Sequence, residues 1–370
     1  MKITALKPFI LHVPVSKSVI GDSTHTITHW GMPGVIVETD AGVFGTGYTG
    51  THADIVTDRL IVAIIAEVFG PMLIGKDPAE VRALHTAMTK SSTNIWVGRG
   101  GLLQMAISAI DIALWDLKAK AAEQPLWKLF GGAADAKVEA YNTDCGWLVR
   151  SEAELVADCK EMIFEKGFGA VKMKIGKPDP KEDLRRVAAV RRAIGDGAKL
   201  MVDVNGKWDI ATARQYAPRL AEFDITWLEE PMWHDDVDGH RRLAETITTP
   251  IALGELLYEI DSFRAFVLAG AVHYLQPDAT RCGGLSAVWQ IADLGQAFHL
   301  PVTPHHGDMM QAQLHLVMAH PACALLEYIP WTLGCFVDPV VVENGVYRAP
   351  AAPGAGTTLK PETFDRYAVK

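Results

Sequence analysis

The chain has few of the features that would tie it to a nucleic acid, a membrane or a disulfide framework. Its formal net charge is −9 and no stripe of Lys and Arg runs through it, which excludes phosphate backbones as the main partner. Only five cysteines occur, Cys145, Cys159, Cys282, Cys323 and Cys335, an odd number with no C-x-x-C pair. They supply neither a zinc site nor a disulfide scaffold and fit a reducing compartment. No apolar run is long enough to span a bilayer, since "LIVAIIAEVFGPMLIG" is interrupted by Glu67 and Pro71. The opening "MKITALKPFILHVPV" has no apolar segment followed by a small-residue cleavage site, so no membrane partner and a cytoplasmic location are expected. Low-complexity linkers are also missing.

What is present is an ordinary globular composition, 49% hydrophobic and 21% charged over 370 residues. In the first part, "GVIVETD" and "AGVFGTGY" read as a hairpin closed near Asp40-Ala41-Gly42. Helical patterns follow at about 53–69, 78–90 and 101–122, the last apolar on nearly every face and so expected to be buried. After "GGAADAK" the rhythm changes. The β-rich runs "VEAYNT", "AVKMKI", "KLMVDV", "ITWLEE", "PIALGE", "VHYLQPD", "LPVTPH" and "ALLEYI" alternate with helical stretches. That is the pattern of a parallel (β/α)8 TIM barrel. The division read from this is an α+β first domain over 1–130, the barrel over 131–338, and a tail over 339–370 that packs back on the first domain.

Charged residues recur at the ends of these runs. Asp203 ends "LMVDV", Glu229 ends "TWLE" and Glu255 ends "IALGE", each 26 residues after the one before. Side chains at the C-terminal ends of barrel strands converge on one face. A single acid there is most simply a helix cap, but three in register repel one another and call for a cation. Oxygen ligands alone suit Mg2+, with Mn2+ possible, and not zinc. Asp278 in "LQPDAT" and His305 in "VTPHHGD" continue the series. An Asp bonded to an imidazole fixes its tautomer and raises its basicity, which makes a general base. His306 competes for that role, and His305 is preferred because it follows the strand directly. In "VKMKIG", Lys172 and Lys174 lie two apart on a strand and point to one side. A nearby divalent cation and second ammonium would lower a lysine's pKa and make it a base.

"KMKIG", "DVN", "LEEP", "GE", "QPD" and "TPH", in this order, resemble the enolase superfamily, specifically its mandelate racemase subgroup. The resemblance covers nearly the whole chain and implies an α+β capping domain before the barrel. It implies Mg2+ on Asp203, Glu229 and Glu255, Lys174 as base on one face of a carboxylate substrate, and His305 with Asp278 on the other. Lys172 would neutralise the substrate carboxylate, Asn205 would contact it, and Glu327 would donate a hydrogen bond to its other oxygen. "VGRGG" and "AYNTDCG" are most similar to acid-sugar dehydratases, including those acting on galactarate or talarate. The expected reaction is loss of water from an acid sugar, giving a 2-keto-3-deoxy acid. A racemase, epimerase or cycloisomerase using the same site is the runner-up, and a Schiff-base aldolase on Lys174 or a non-catalytic binding barrel are further alternatives. The segment "HGDMMQAQLHL" is slightly longer than in the diacid enzymes. His25, His29, Trp30 and Tyr48 are candidates for reading the distal end of the sugar. The subgroup also suggests a symmetric homo-oligomer.

Other signals carry less. "GTGYTG" matches G-x-G-x-x-G but ends a hairpin instead of opening a βαβ unit, so its glycines suit a lid and not a nucleotide. His305, His306 and His315 lack zinc-site spacing. "EDLRRVAAVRR" reads as the solvated face of a helix.

Overall fold

The computed structural model describes residues 1–15, 20–307 and 310–369. Strands β1 (Ile3–Pro14), β2 (His29–Thr39) and β3 (Phe44–Tyr48) form an antiparallel sheet in that order. The hairpin between β2 and β3 turns where Gly42 takes a φ of 77°, a left-handed conformation with no steric cost for glycine. Helices α1 (Ile55–Ala63), α2 (Val81–Thr89) and α3 (Leu102–Ala121) follow. Helix α3 lies directly on β3. A Cβ on Gly45 would stand 2.0 Å from the Ala113 carbonyl oxygen, and one on Gly47 2.0 Å from that of Ala109. Those two glycines therefore allow close strand–helix approach, and the expectation of a lid does not hold for them.

The other side of α3 meets the barrel. Asp111 accepts hydrogen bonds from the Ser286 N–H (2.9 Å) and hydroxyl (2.6 Å), and Gln104 Nε2 donates to the Cys282 carbonyl at 2.9 Å. With both sides covered, α3 is buried nearly throughout, as its all-round apolarity implies.

The barrel strands are β4 (Glu139–Asn142), β5 (Ala170–Lys174), β6 (Lys199–Asp203), β7 (Ile225–Glu229), β8 (Ile251–Leu253), β9 (Tyr274–Leu275) and β10 (Leu325–Tyr328). Each pairs in parallel with the next up to β9, and β10 pairs with β4 to close the ring. The seventh position, expected as the strand "LPVTPH", is reduced to Val302, which bridges Leu275 and Cys323. Pro301 and Pro304 bracket it and cannot donate to a ladder, which keeps that strand short. Tyr141, Ala170, Met201, Trp227 and Ala252 fill the interior below the site.

The helix at Pro180–Ile194 corrects the reading of "EDLRRVAAVRR" in part, since Arg185 and Arg192 are exposed but other charges of the run are not. Asp183, Arg186 and Arg191 are buried. Asp183 accepts from the Gly176 and Lys177 N–H groups at 2.9 Å, and Arg191 donates to the Phe223, Gly195, Ala198 and Asp224 carbonyls. These charges serve backbone groups at strand ends and not solvent. In the tail, Val346 pairs with Glu139 of β4, while the Ala355 N–H and the Thr357 hydroxyl bond to Asp116 and the Thr46 carbonyl of the first domain. Among the described residues no helix is long and apolar enough to cross a membrane.

Candidate active site

Parallel pairing sets the site. Lys174 is opposite Asp203, and Asp203 opposite Glu229, so the ends of β5, β6 and β7 deliver their last side chains to one level. Glu255 follows β8 by two residues. One oxygen from each of Asp203, Glu229 and Glu255 lies within 4.8 Å of the others, as a shared ion requires. Burial pushes the Asp203 carboxyl up to about 7, with Glu229 and Glu255 acting in the same direction against Lys174. Buried carboxylates that oppose one another's ionisation are the donor set of a hard divalent cation, and these three residues fit Mg2+ or Mn2+. Outer contacts orient them: Trp227 Nε1 (2.8 Å) and Gln276 Nε2 (2.7 Å) both donate to Glu229 Oε2. The N–H of Asn205 donates to Asp203 Oδ1 at 2.8 Å and its Nδ2 to Asp203 Oδ2 at 3.3 Å, and the residue lines the cavity.

Lys172 and Lys174 point inward together. Lys172 Nζ is fully buried, 2.5 Å from Glu229 Oε1 and 2.9 Å from Glu327 Oε1. Lys174 donates to Asp203 and lies 5.7 Å over the Trp147 ring. The lowered lysine pKa is expected beside a bound divalent cation; the protein's own side chains act in the other direction. Burial opposes the charge on Lys174, but the Asp203 carboxylate beside it holds its pKa above the ordinary lysine value, and Glu229 and Glu327 do the same for Lys172. The surrounding carboxylates outweigh the second ammonium.

On the other side, His305 Nδ1 meets Asp278 Oδ2 at 2.7 Å, while Thr280 holds Asp278 Oδ1 through its N–H (2.8 Å) and hydroxyl (2.7 Å). Burial works against the charge on both partners. His305 nevertheless holds Asp278 below the usual carboxylate range, and Glu255 and Asp278 raise His305 to about 9. His305 Nε2 is 3.1 Å from Glu255 Oε2. Glu327, expected to donate a hydrogen bond to the substrate, accepts from the protein around it: burial resists its ionisation, but Lys172 and the two histidines act to hold it below the usual range. The Thr143 hydroxyl (2.5 Å) and the His306 N–H (3.3 Å) also donate to it.

Above these groups opens a cavity of about 520 Å3, walled by Lys174, Asn205, Glu255 and His305 from the barrel and by His25 and Trp30 from the capping domain. Tyr48 is elsewhere. It is fully buried in β3 with its ring 5.7 Å from that of Phe336, outside the cavity wall. His29 is exposed and also outside it. Of the segment after His305, residues 308–309 lie outside the described residues. His52, Trp147, Arg281 and Trp331 line the cavity without having been expected. His25 and His52 meet edge to face at 4.2 Å, and burial lowers His52 to about 4. Each is an isolated loop residue with no period to mark it. Gln276 could have been found, since it lies two residues before Asp278 and so shares its side of the chain.

Residues 154–363 match the enolase C-terminal domain-like family, and residues 7–131 match the mandelate racemase / muconate lactonizing enzyme N-terminal domain. The chain is 38% identical to the L-talarate/galactarate dehydratase of Salmonella typhimurium over 78% of its own length and 71% of that protein's. It is 35% identical to the 3,6-anhydro-alpha-L-galactonate cycloisomerase of Streptomyces coelicolor over 94% of each. A racemase from Streptomyces coelicolor, solved with bound magnesium, superposes with a TM-score of 0.92 at 33% identity, covering 99% of this chain and 100% of that one. The Salmonella dehydratase, solved with magnesium and L-lyxarohydroxamate, superposes at 0.91 and 32% identity, covering 100% and 93%. From both its domains and the carboxylate triad at its strand ends, the chain belongs to the enolase superfamily, in the mandelate racemase / muconate lactonizing enzyme branch.

Proposed function

We propose that the protein removes the proton α to the carboxylate of an acid sugar and expels the β-hydroxyl as water, yielding a 2-keto-3-deoxy acid. The observation that carries this reading is the placement of two proton-transfer groups, Lys174 and the His305–Asp278 pair, on different strands around the Asp203–Glu229–Glu255 cluster. Asp203, Glu229 and Glu255 would hold Mg2+, which when bound stabilises the negative charge that develops as the proton leaves. Lys172, enclosed by Glu229 and Glu327, adds fixed positive charge beneath that point without reorganising. Asn205 contacts the substrate carboxylate, and His25 and Trp30 face the distal hydroxyls. Five free, buried cysteines support a cytoplasmic setting.

The similarity to a dehydratase over most of the chain supports elimination. Full-length similarity to a cycloisomerase supports a second reading, in which the same abstraction ends in isomerisation. A Schiff-base role for Lys174 is disfavoured, because it would leave the Asp203–Glu229–Glu255 cluster without a part in the chemistry. The test is a panel of acid sugars, including galactarate, talarate and glucarate, incubated with enzyme and Mg2+ and assayed with semicarbazide for keto acid. A keto acid from one of them supports elimination. Exchange of the α-hydrogen without keto acid from any of them assigns the isomerase reading instead.

A further inference from the structure

Arg281 is half-buried in the cavity wall and has no anionic partner among the described residues. It lies in the turn that leaves β9. Its N–H donates to the Asp278 carbonyl at 3.0 Å, and the adjoining Thr280 carbonyl accepts from the Thr49 hydroxyl of the capping domain at 2.6 Å. The residue is therefore fixed at the seam between barrel and cap. Its charge is felt on both sides of that seam, by Asp278 of the barrel and by His52 of the cap, which lines the same cavity. In a ring of eight strand positions β9 stands four from β5, so Arg281 faces Lys174 across the barrel mouth.

The acids of the wall are engaged elsewhere. Asp22 Oδ1 accepts from the N–H groups of Thr24 and His25, each at 2.7 Å. Asp54 caps α1, accepting from the Val56 N–H (3.1 Å) and the Thr57 hydroxyl (2.7 Å). Glu255 Oε2 faces His305 Nε2, and Glu230 is buried among the charges of Glu255, Asp203 and Glu229. Lys174, the other fixed cation of the wall, is paired with Asp203. That leaves one guanidinium whose charge nothing in the protein answers. A guanidinium keeps its charge at any working pH, and its planar fork matches the two oxygens of a carboxylate. His52, held neutral by burial, brings no second charge beside it.

We propose that Arg281 binds a second carboxylate, at the end of the substrate away from the reacting one, so that the enzyme selects sugar diacids over the corresponding monoacids. This rests on the acid-sugar reading of the site and narrows it. The reacting carboxylate already has Asn205 and the triad's ion, which leaves Arg281 free for the far end. A monoacid places a neutral hydroxymethyl group there and leaves the guanidinium unanswered inside a closed site, so the discrimination works against the wrong substrate as well as for the right one.

The experiment uses Mg2+-loaded protein and acids matched in configuration: galactarate with galactonate, and glucarate with gluconate and 6-phosphogluconate. The semicarbazide assay gives kcat/KM, and calorimetry gives Kd. Wild type is expected to favour the diacid of each pair by about 10- to 100-fold, the scale of hydrogen bonds to a charged group. Arg281→Met should lose that preference through a raised KM for the diacid, with the monoacid unchanged within about threefold. Arg281→Lys keeps the charge without the fork and should fall between. A merely structural role would lower diacid and monoacid together. The proposal is overturned by a wild type that uses both acids of a pair equally, by equal losses on both in Arg281→Met, or by tighter binding of 6-phosphogluconate than of glucarate. If Arg281→Met fails to fold, the diacid-to-monoacid ratio in Arg281→Lys decides. A wild type that releases water from none of these acids overturns the dehydratase reading alone, and calorimetry then decides on Arg281. Diacid binding that exceeds monoacid binding and is lost in Arg281→Met supports the second-carboxylate site, and equal binding or none overturns it.

Discussion

The ammonium of Lys172 lies 2.5 Å from Glu229 Oε1 and 2.9 Å from Glu327 Oε1, so one buried cation ties a triad carboxylate to the last barrel strand. Removing one member of a buried ion network leaves the others uncompensated, at about 3–5 kcal/mol. Lys172→Met is expected to lose that much in urea unfolding and to lose activity. Adding Glu327→Gln to it should recover part of the stability and none of the turnover. Equal stability of Lys172→Met and wild type would mean that the network is not a structural unit.

The carboxylate triad predicts metal-linked stability. Bound ligand stabilises the folded state in proportion to the logarithm of its saturation, about 2.7 kcal/mol at a hundredfold excess over Kd. Added Mg2+ should therefore raise the melting temperature of chelator-treated protein. Asp203→Asn should abolish that rise, and because it also removes the carboxylate paired with buried Lys174, the chelated variant should itself melt lower than chelated wild type. An unchanged response to Mg2+ in Asp203→Asn would place the ion elsewhere.

Asp278 acts through His305. Replaced by Asn, it can offer its N–H to Nδ1 and turn the imidazole to the tautomer with hydrogen on Nε2, which cannot accept a proton there. Asp278→Asn is expected to lower kcat about 10²- to 10⁴-fold with little change in KM, as loss of a general base does. A change confined to KM would make Asp278 a substrate contact.

Much of this site was legible because barrel strands repeat: an acid at the end of one run predicts the position of the next. The α-helical and hairpin signals of the first domain were equally local, and the hairpin at Asp40–Gly42 forms where turn chemistry puts it. What depended on tertiary contact was hidden. Tyr48 alternates inward in β3, and only the fold shows that inward there means Phe336 and not the cavity. The burial of Arg191 needed the carbonyls that close on it.

His315 gives a pH dependence remote from the triad. It is fully buried, its Nδ1 accepts from the Trp127 N–H at 3.0 Å, and burial lowers its pKa to about 3. The unfolded chain takes up this proton near pH 6.5 and the folded one does not. The contribution is thus present in full above about 6.5 and is lost as pH falls toward 3, at up to about 1.4 kcal/mol per unit. Between pH 7.5 and 5, wild type should lose about 2 kcal/mol more in urea unfolding than His315→Gln. Identical losses would show that this histidine protonates without unfolding.

Gly47 separates a packing role from a ligand role for "GTGYTG". A Cβ there would stand 2.0 Å from the Ala109 carbonyl oxygen and 2.5 Å from the Ala113 nitrogen, both backbone atoms that cannot swing away. Gly42 offers the contrast: its φ is 77°, but a Cβ would meet nothing within 4 Å. Gly42→Ala should cost roughly 1–2 kcal/mol, the left-handed conformation alone. Gly47→Ala should cost about 3 kcal/mol, the upper range for overpacking, and should do so in protein without any ligand. Were this glycine kept for a phosphate, the order would reverse: Gly47→Ala would fold as well as wild type and fail only in binding.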